Sequence, residues 1–148
     1  MIKMVNLDNI PLEALFPIIC RNHHVFTDEE AKSLNISGQK IPCLMMISYK
    51  PGITQEELVN IFQIDRGFIA RIVRKLEDDE LVFRTRGTEN RRKYHIFLTA
   101  KGEKIVPAIR DIEEKWKKIM FKGLKKDEIS KLMEFLNLLA ENSIETKK

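Results

Sequence analysis

Cysteine is scarce in this 148-residue chain, which contains only Cys20 and Cys43. Two cysteines are too few for the disulfide scaffold of a small secreted protein, so we expect both to be free thiols. Glycine (six) and proline (five) are also sparse, which argues against a collagen-like or low-complexity chain. No apolar run approaches the roughly 20 residues of a membrane helix, and the N-terminal MIKMVNLDNI lacks the basic-then-apolar layout of a secretion signal. We therefore expect a globular cytoplasmic protein that does not span a membrane.

Residue patterns typical of enzymes are missing as well. The chain has no Gly-rich phosphate loop and no nucleophile beside an evident base. The carboxylate run from Glu77 to Glu80 lies at a predicted helix end, where solvation explains it. We expect neither catalytic activity nor a cofactor.

One group of potential metal ligands shares the first predicted helix: Cys20, His23 and His24 at i, i+3 and i+4, and Glu29 or Glu30 beyond them. Zinc sites usually show paired ligand motifs. Packing is therefore the favoured interpretation, and we expect no metal; metal sensing is the alternative. A redox role for Cys20 is a second alternative, because the neighbouring Arg21 supplies some of the positive charge that activates a thiol.

The net charge is only +4, but its location is informative. Residues 84–93, RTRGTENRRK, carry five cations and one anion, whereas the rest of the chain has 21 of each. Such a concentration suits a polyanionic partner, whose counterions are released on binding. The alternative is a solvated charged loop, in which the two signs are normally mixed.

Helical periodicity describes the first third of the chain. Apolar residues over 10–34 predict a first helix with Pro11 in its first turn, and a break near Thr27 is an alternative. Asn35 predicts its end, and Ser37-Gly38 a new helix start. Residues 39–50 then predict a short helix with Pro42 in its opening turn.

Two further helices are joined by a tight turn. Thr54 and Glu57 fit a capping box at the start of a helix of about three turns. After Gln63-Ile64, Asp65 is suited to cap a second helix over 66–80. The predicted inner faces contain Leu58, Ile61 and Phe62 in the first helix and Phe68, Ile69, Ile72, Val73 and Leu76 in the second. This layout, with a basic outer face on the second helix, is typical of a helix-turn-helix.

A hairpin and two long helices complete the predicted elements. LVFRTRG and KYHIFL alternate as antiparallel strands around a loop at Thr88–Arg92, and Thr99 predicts a cap for the next helix. Residues 100–121 and 126–142 are amphipathic, and Pro107 should bend the first of them. Their apolar stripes exceed what one small lobe can cover, so a second copy of the chain is the expected partner.

The order of these elements resembles the MarR family of winged-helix transcription regulators. The segment LVFRTRGTENRRKYHIFLTAKG contains a Leu-Val-x-Arg strand, a charged wing and a closing Leu-Thr-x-x-Gly, and GITQEELVNIFQIDRGFIARIVRKLED is similar to the family's paired helices. The resemblance implies a mainly α fold with a small β-wing and a single domain over 1–148. In it, 37–99 form the winged helix-turn-helix lobe and 1–36 and 100–148 the dimerisation helices.

The resemblance also implies a homodimer that binds a pseudo-palindromic site in double-stranded DNA and represses transcription. One helix enters the major groove and the wing reaches the minor groove. The implied DNA-binding residues are Arg66, Gly67, Ala70, Arg71, Arg74 and Lys75 in the helix, and Arg84, Arg86, Asn90, Arg91, Arg92 and Lys93 in the wing. Arg92 occupies the arginine position of the family's Asp-x-Arg wing pattern, and the other wing cations should mostly meet phosphates.

Four residues depart from the family's pattern. Asn90 replaces the wing aspartate, so the salt bridge that orients Arg92 becomes a hydrogen bond at best. Gly67 and Ala70 replace polar DNA-contacting residues, which shifts base readout to Arg66, Arg71 and Arg74. Glu80 replaces the glycine after the second helix, where a left-handed backbone is costly, so we expect that helix to end differently.

The family resemblance further implies an effector, a small phenolic or other aromatic acid. Arg21, His23 and Tyr49 are the candidate residues, because cationic and aromatic groups hold a carboxylate beside a ring. The alternatives are a winged helix that binds an acidic protein and an architectural DNA-binding protein without an effector.

Overall fold

The computed structural model describes residues 6–147. Helix α1 spans Leu12–Ala31 and continues into a 3₁₀ turn at Lys32–Leu34. It runs unbroken past Thr27, whose buried hydroxyl donates to the His23 carbonyl at 2.6 Å. Pro11 is the N-cap of α1 and Pro17 lies inside it. The alternative of a break near Thr27 is therefore wrong, and Pro11 lies one residue before the helix.

A second 3₁₀ turn, Gly38–Lys40, leads into α2 at Ile41–Tyr49. Asn35 ends the preceding turn in a left-handed conformation at φ 58°, as predicted. The Ser37 side chain makes no cap hydrogen bond. Instead, Asp28 Oδ1 in α1 accepts the Gly38 N–H at 2.5 Å, so the new start is fixed by a residue ten positions earlier.

Helices α3, Gln55–Phe62, and α4, Arg66–Asp78, form the helix-turn-helix. Thr54 Oγ1 accepts the Glu57 N–H and Asp65 Oδ2 accepts the Phe68 N–H, each at 3.1 Å, so both helices begin at the predicted caps. The predicted capping box is only half formed, because the Glu57 side chain turns to a lysine instead of the Thr54 N–H. The Glu57 carboxylate pairs with Lys50 Nζ at 2.7 Å. Gln63 makes the turn at φ 55°.

The two inner faces match the prediction except at Ile61, which is 47% exposed because the buried side of α3 runs through Leu58, Val59 and Phe62. Phe62 and Phe68 are half-buried and pack against the core. The fully buried residues of the pair are Leu58, Ile69, Ile72, Val73 and Leu76.

Strands β1, Val82–Arg86, and β2, Tyr94–Leu98, pair antiparallel with Arg84 opposite Ile96. Ile53 adds one further bridge to Ile96, which joins the segment before α3 to the sheet. The core around these elements contains Leu44, Ile47, Ile53, Ile96 and Ile109, all at 0% exposure. Burial also raises the pKa of the Cys43 thiol to about 11, because the thiolate would lose its hydration.

Helix α4 ends at Asp78 with a left-handed Glu80 at φ 61°. The Glu80 N–H donates to the Glu77 carbonyl and the Leu81 N–H to the Leu76 carbonyl, each at 2.9 Å. This is the hydrogen-bond pattern of a glycine-terminated helix. The expectation that the helix would end differently is wrong, because Glu80 adopts the left-handed conformation that glycine usually adopts at this position.

Helix α5, Ala100–Met120, is capped by Thr99, whose Oγ1 accepts the Gly102 N–H at 3.0 Å and donates to the Glu80 carbonyl at 2.6 Å. A Cβ at Gly102 would overlap the Leu81 carbonyl oxygen. The Leu-Thr-x-x-Gly motif therefore has a physical reason: threonine caps α5 while glycine lets it approach the end of α4.

The chain divides into two compact units, Met1–Glu113 and Glu114–Lys148. The second contains the end of α5 and helix α6, Lys126–Glu145. In α6, Met133, Phe135, Leu138 and Leu139 are 43–54% exposed. Within residues 6–147, no helix is both long enough and apolar enough to cross a bilayer.

Candidate nucleic-acid interface

The outer face of α4 presents cations beside small residues. Arg66, Gly67, Arg71, Arg74 and Lys75 are exposed and Ala70 is half-buried. The Arg71 guanidinium lies 5.9 Å from the centre of the Phe68 ring, and Arg66 Nη2 lies 3.7 Å from Glu56 Oε1 with 81% of the Arg66 side chain exposed. Because the opposite face of α4 is fully buried, this cationic face is held on a rigid helix.

The tip of the hairpin exposes Arg91, Arg92 and Lys93. The Gly87 N–H donates to the Lys93 carbonyl at 2.9 Å, and the Lys93 N–H to the Asn90 carbonyl at 3.1 Å. The side-chain oxygen of Asn90 accepts the Arg92 N–H at 3.0 Å. Asn90 therefore acts on the Arg92 backbone, which leaves the guanidinium exposed at the tip.

The base of the hairpin uses its arginines differently. Arg84 Nη2 lies 2.6 Å from Glu77 Oε1 on α4, and Arg84 Nη1 donates to Gln55 Oε1 at 3.0 Å. Arg86 Nε donates to the Tyr94 hydroxyl at 3.0 Å. Both guanidinium groups stack on the Tyr94 ring, Arg84 at 5.6 Å and Arg86 at 5.4 Å. The predicted wing cations thus divide into an open tip and a packed base.

A cleft separates the start of α3 from the wing. Its lining joins the start of α3, at Thr54, Gln55 and Glu56, to Arg84, Arg92, Lys93 and Tyr94 of the wing. Arg92 and Lys93 share this cleft with the Glu56 carboxylate, and the Arg84 guanidinium in it is paired with Glu77. The charges that line the cleft are therefore mixed, and the open cationic surfaces are the tip of the wing and the outer face of α4.

Sequence reasoning missed a second contact at the wing base. His95 Nδ1 lies 2.8 Å from the Gly52 carbonyl oxygen, which requires Nδ1 to carry the proton. Gly52, at φ 86°, also donates its N–H to the Ile96 carbonyl at 2.8 Å. The alternation of β2 places His95 opposite the Tyr94 face, but a partner 43 residues away is not visible in a local pattern.

Two of the three candidate effector residues, Tyr49 and His23, lie beside α5. The Arg110 guanidinium lies 5.7 Å from the centre of the Tyr49 ring, and His23 Nε2 lies 3.4 Å from Glu113 Oε2. Since Arg110 and Glu113 are one helical turn apart, Tyr49 and His23 contact the same face of α5. Arg21 is exposed on α1.

The metal alternative finds no support in the geometry. Among residues 6–147, no three His, Cys, Asp or Glu side chains converge on a point where they could hold an ion. His24 instead lies 3.5 Å from Asp28 in an i,i+4 pair.

Comparison with known proteins places this architecture in a family. Residues 36–94 match the model of the MarR family. A crystal structure of MarR is 36% identical to the chain, with a TM-score of 0.82 and 98% of each chain covered. A MarR family transcriptional regulator from Listeria monocytogenes, crystallised with a 26mer DNA, is 29% identical, with a TM-score of 0.86 and 89% of this chain and 88% of that chain covered.

A relative of similar length gives the same result. The HTH-type transcriptional regulator BilQ of Clostridium symbiosum is 29% identical over 117 residues, which cover 79% of this chain and 81% of the relative. The helix-turn-helix and the charged wing agree with the 36% sequence identity to a MarR structure over nearly the whole length. The chain belongs to the MarR family of winged-helix transcription regulators.

Proposed function

We propose that this chain is a cytoplasmic homodimeric repressor that binds a pseudo-palindromic site in double-stranded DNA and is released by a small ligand. That it is a DNA-binding transcription regulator follows from its family. The dimer, the repression, the site sequence and the ligand are the proposed parts. The family is one of regulators, and no catalytic role is proposed.

The observation that carries the proposal is the pairing of two cationic elements on one lobe. Helix α4 buries one face and exposes Arg66, Arg71 and Arg74 on the other. The major groove, about 12 Å wide, admits one helix, and the narrower minor groove attracts arginine. The exposed tip of the wing suits the second groove.

The proposed roles follow from this placement. Arg66, Arg71 and Arg74 read base edges, Gly67 and Ala70 permit close approach, and Lys75 lies at the rim. Arg92 enters the minor groove, while Arg86, Arg91 and Lys93 meet phosphates and Asn90 fixes the turn that presents Arg92.

Exposed apolar side chains support the homodimer. In α1, Leu12, Phe16, Ile19 and Val25 are 39–65% exposed, and α6 separately exposes Met133, Phe135, Leu138 and Leu139. Leu12, Phe16 and Ile19 recur at i, i+4 and i+7 on one face of α1, and Phe135, Leu138 and Leu139 at i, i+3 and i+4 on one face of α6. Exposed apolar faces of this kind mark interaction sites on soluble proteins. We assign 1–36 and 100–148 to dimerisation and 37–99 to the DNA-binding lobe of one domain.

The contacts beside α5 support an aromatic or phenolic acid as the ligand. Tyr49 offers a ring and Arg110 a cation for a carboxylate. Binding there would change the separation of the two recognition helices, which must be about one helical turn of DNA apart.

Selection of duplexes from a random pool by the full chain tests the proposal, together with sedimentation of the free protein. A dimer that returns a palindromic consensus is the expected result. A dimer that binds without a consensus would indicate the architectural alternative. Absence of DNA binding at low salt would reject the proposal in favour of an interaction module with an acidic partner.

A further inference from the structure

Arg84 connects every element that contributes to the proposed DNA surface. It lies in β1, its guanidinium reaches Glu77 in the last turn of α4 and Gln55 at the start of α3, and it stacks on Tyr94 of β2. Only 33% of the Arg84 side chain and 28% of the Glu77 side chain are exposed. Arg84 is thus a link between the recognition helix and the wing, at the middle of the paired strands and away from the tip.

The Glu77 partner makes this link costly to break. Glu77 Oε1 is out of contact with solvent and has no aligned hydrogen-bond donor among the described residues. The Arg84 guanidinium, 2.6 Å away, therefore balances the negative charge of Glu77. Removing one member of such a pair leaves an uncompensated charge in a poorly solvated position. The pair is also neutral as a unit, so it adds little to the attraction for phosphates.

We infer that Arg84 is a positioning residue, which sets the wing relative to α4 through Glu77 and Gln55, and does not contact a phosphate. This inference rests on the proposed function and revises the expectation that Arg84 meets the DNA backbone. The distance between α4 and the wing tip decides whether one lobe engages both grooves. By setting that distance, Arg84 determines whether Arg92 reaches its groove while α4 occupies the other.

A double-mutant cycle in DNA affinity tests the inference. The probe is a duplex selected from a random pool by the wild-type chain, and the variants are Arg84→Gln, Arg92→Gln and their combination. We expect Arg84→Gln alone to weaken binding roughly tenfold and to have little effect once Arg92 is replaced, because coupled residues are non-additive. If the two changes instead lower the affinity independently, so that their binding free energies add, the inference is overturned.

The salt dependence of DNA binding distinguishes a positioning residue from a residue that contacts a phosphate. In the Arg92→Gln background, Arg84→Gln should leave the slope of log affinity against log salt unchanged. A lost phosphate contact would instead lower that slope by about 0.9. Arg91→Gln, which removes the same charge at the open tip, is the matched control, and its slope should fall.

Two further variants decide the case if Arg84→Gln does not fold. Glu77→Gln should weaken binding, because it releases Arg84; unchanged or tighter binding would overturn the inference. Arg84→Lys should behave like Arg84→Gln, since a lysine cannot reach two partners in fixed geometry, whereas a phosphate contact would largely survive it. If the wild-type chain binds no duplex, the proposed function fails; if it binds and the cycle is additive, only the role of Arg84 fails.

Discussion

The side-chain oxygen of Asn90 accepts the backbone N–H of Arg92 at 3.0 Å. The bond spans two residues and closes a local turn at the tip of the wing. It replaces a salt bridge to the arginine side chain by a constraint on the arginine backbone. The direction in which Arg92 leaves the hairpin is thereby fixed, while its charged group remains available.

Replacing Arg92 tests the role of the wing tip. Arg92→Ala should weaken binding to sites with A·T-rich flanks by about 1.5–3 kcal/mol, the range for hydrogen bonds to charged groups. Fluorescence anisotropy with duplexes that differ only in their flanks measures the effect. Arg91→Ala is the control and should weaken binding to all flanks alike. An equal loss on A·T-rich and G·C-rich flanks for Arg92→Ala would contradict its placement in the minor groove.

Replacing Arg71 tests the recognition helix. Arg71→Ala should relax the preference at one base pair by about 1–3 kcal/mol, because it removes a contact to a base edge. Competition among duplexes with single base-pair changes measures this preference. Lys75→Ala should lower affinity uniformly. If both variants shift all sites by the same factor, α4 does not read sequence at Arg71.

The left-handed Glu80 predicts a stabilising substitution. Glycine adopts φ 61° without the steric cost that a side chain imposes. Glu80→Gly should therefore raise the free energy of unfolding by about 1 kcal/mol, measured by urea denaturation. Asp78→Gly, two residues earlier at the last position of the helix, should instead lower it slightly, by about 0.3 kcal/mol. A loss of stability in Glu80→Gly would mean that the carboxylate has a stabilising role.

The glycine of the Leu-Thr-x-x-Gly motif predicts the opposite effect. Gly102→Ala should destabilise the fold by about 1–3 kcal/mol, because the new methyl group would overlap the Leu81 carbonyl oxygen. Gly67→Ala is the matched control: it lies in an exposed helix, where its Cβ would meet only side-chain atoms, and should be neutral or stabilising. Equal unfolding midpoints for wild type and Gly102→Ala would show that α5 can shift away from α4.

The local features of this fold are those that the sequence predicts. Thr54, Asp65 and Thr99 cap the helices they precede, because capping depends on residues two or three positions apart. The strand alternation likewise predicts the two antiparallel strands of the wing. The exposure of Ile61 is harder to predict from neighbouring residues, because it depends on which side of α3 the core covers.

The contacts that the sequence could not predict join distant residues. Asp28 caps the turn at Gly38 across ten residues, and Arg84 meets Gln55 across 29. An arginine in a basic run is ambiguous, because a phosphate and a buried carboxylate attract it for the same electrostatic reason. The positions of the glutamate and the glutamine in space decide between the two.

The buried thiol gives a pH-dependent prediction. The pKa of Cys43 is raised from 9.0 to about 11 by burial, so folding favours the neutral thiol. This contribution is fully present below about pH 9 and is lost as the pH rises through about 11. Between these values wild type should lose roughly 2 kcal/mol of stability that Cys43→Ala does not lose, measured by urea denaturation at each pH.

Alkylation provides an independent check on Cys43. In a Cys20→Ser background, Cys43 should resist iodoacetamide at pH 8 in the folded protein and react after unfolding in urea, because the thiolate is the nucleophile. Rapid labelling of the folded variant would show that the core around α2 opens.

The central claim is that α4 and the wing of this chain contact a duplex together. The most direct measurement is the affinity of the full chain for its selected duplex as a function of salt. We predict a straight line of log affinity against log salt, with a slope near −0.9 for each phosphate contacted and a shallower line for Arg91→Gln, which removes a proposed phosphate contact of the wing. An affinity that does not change with salt, or a slope that Arg91→Gln leaves unaltered, would contradict the claim.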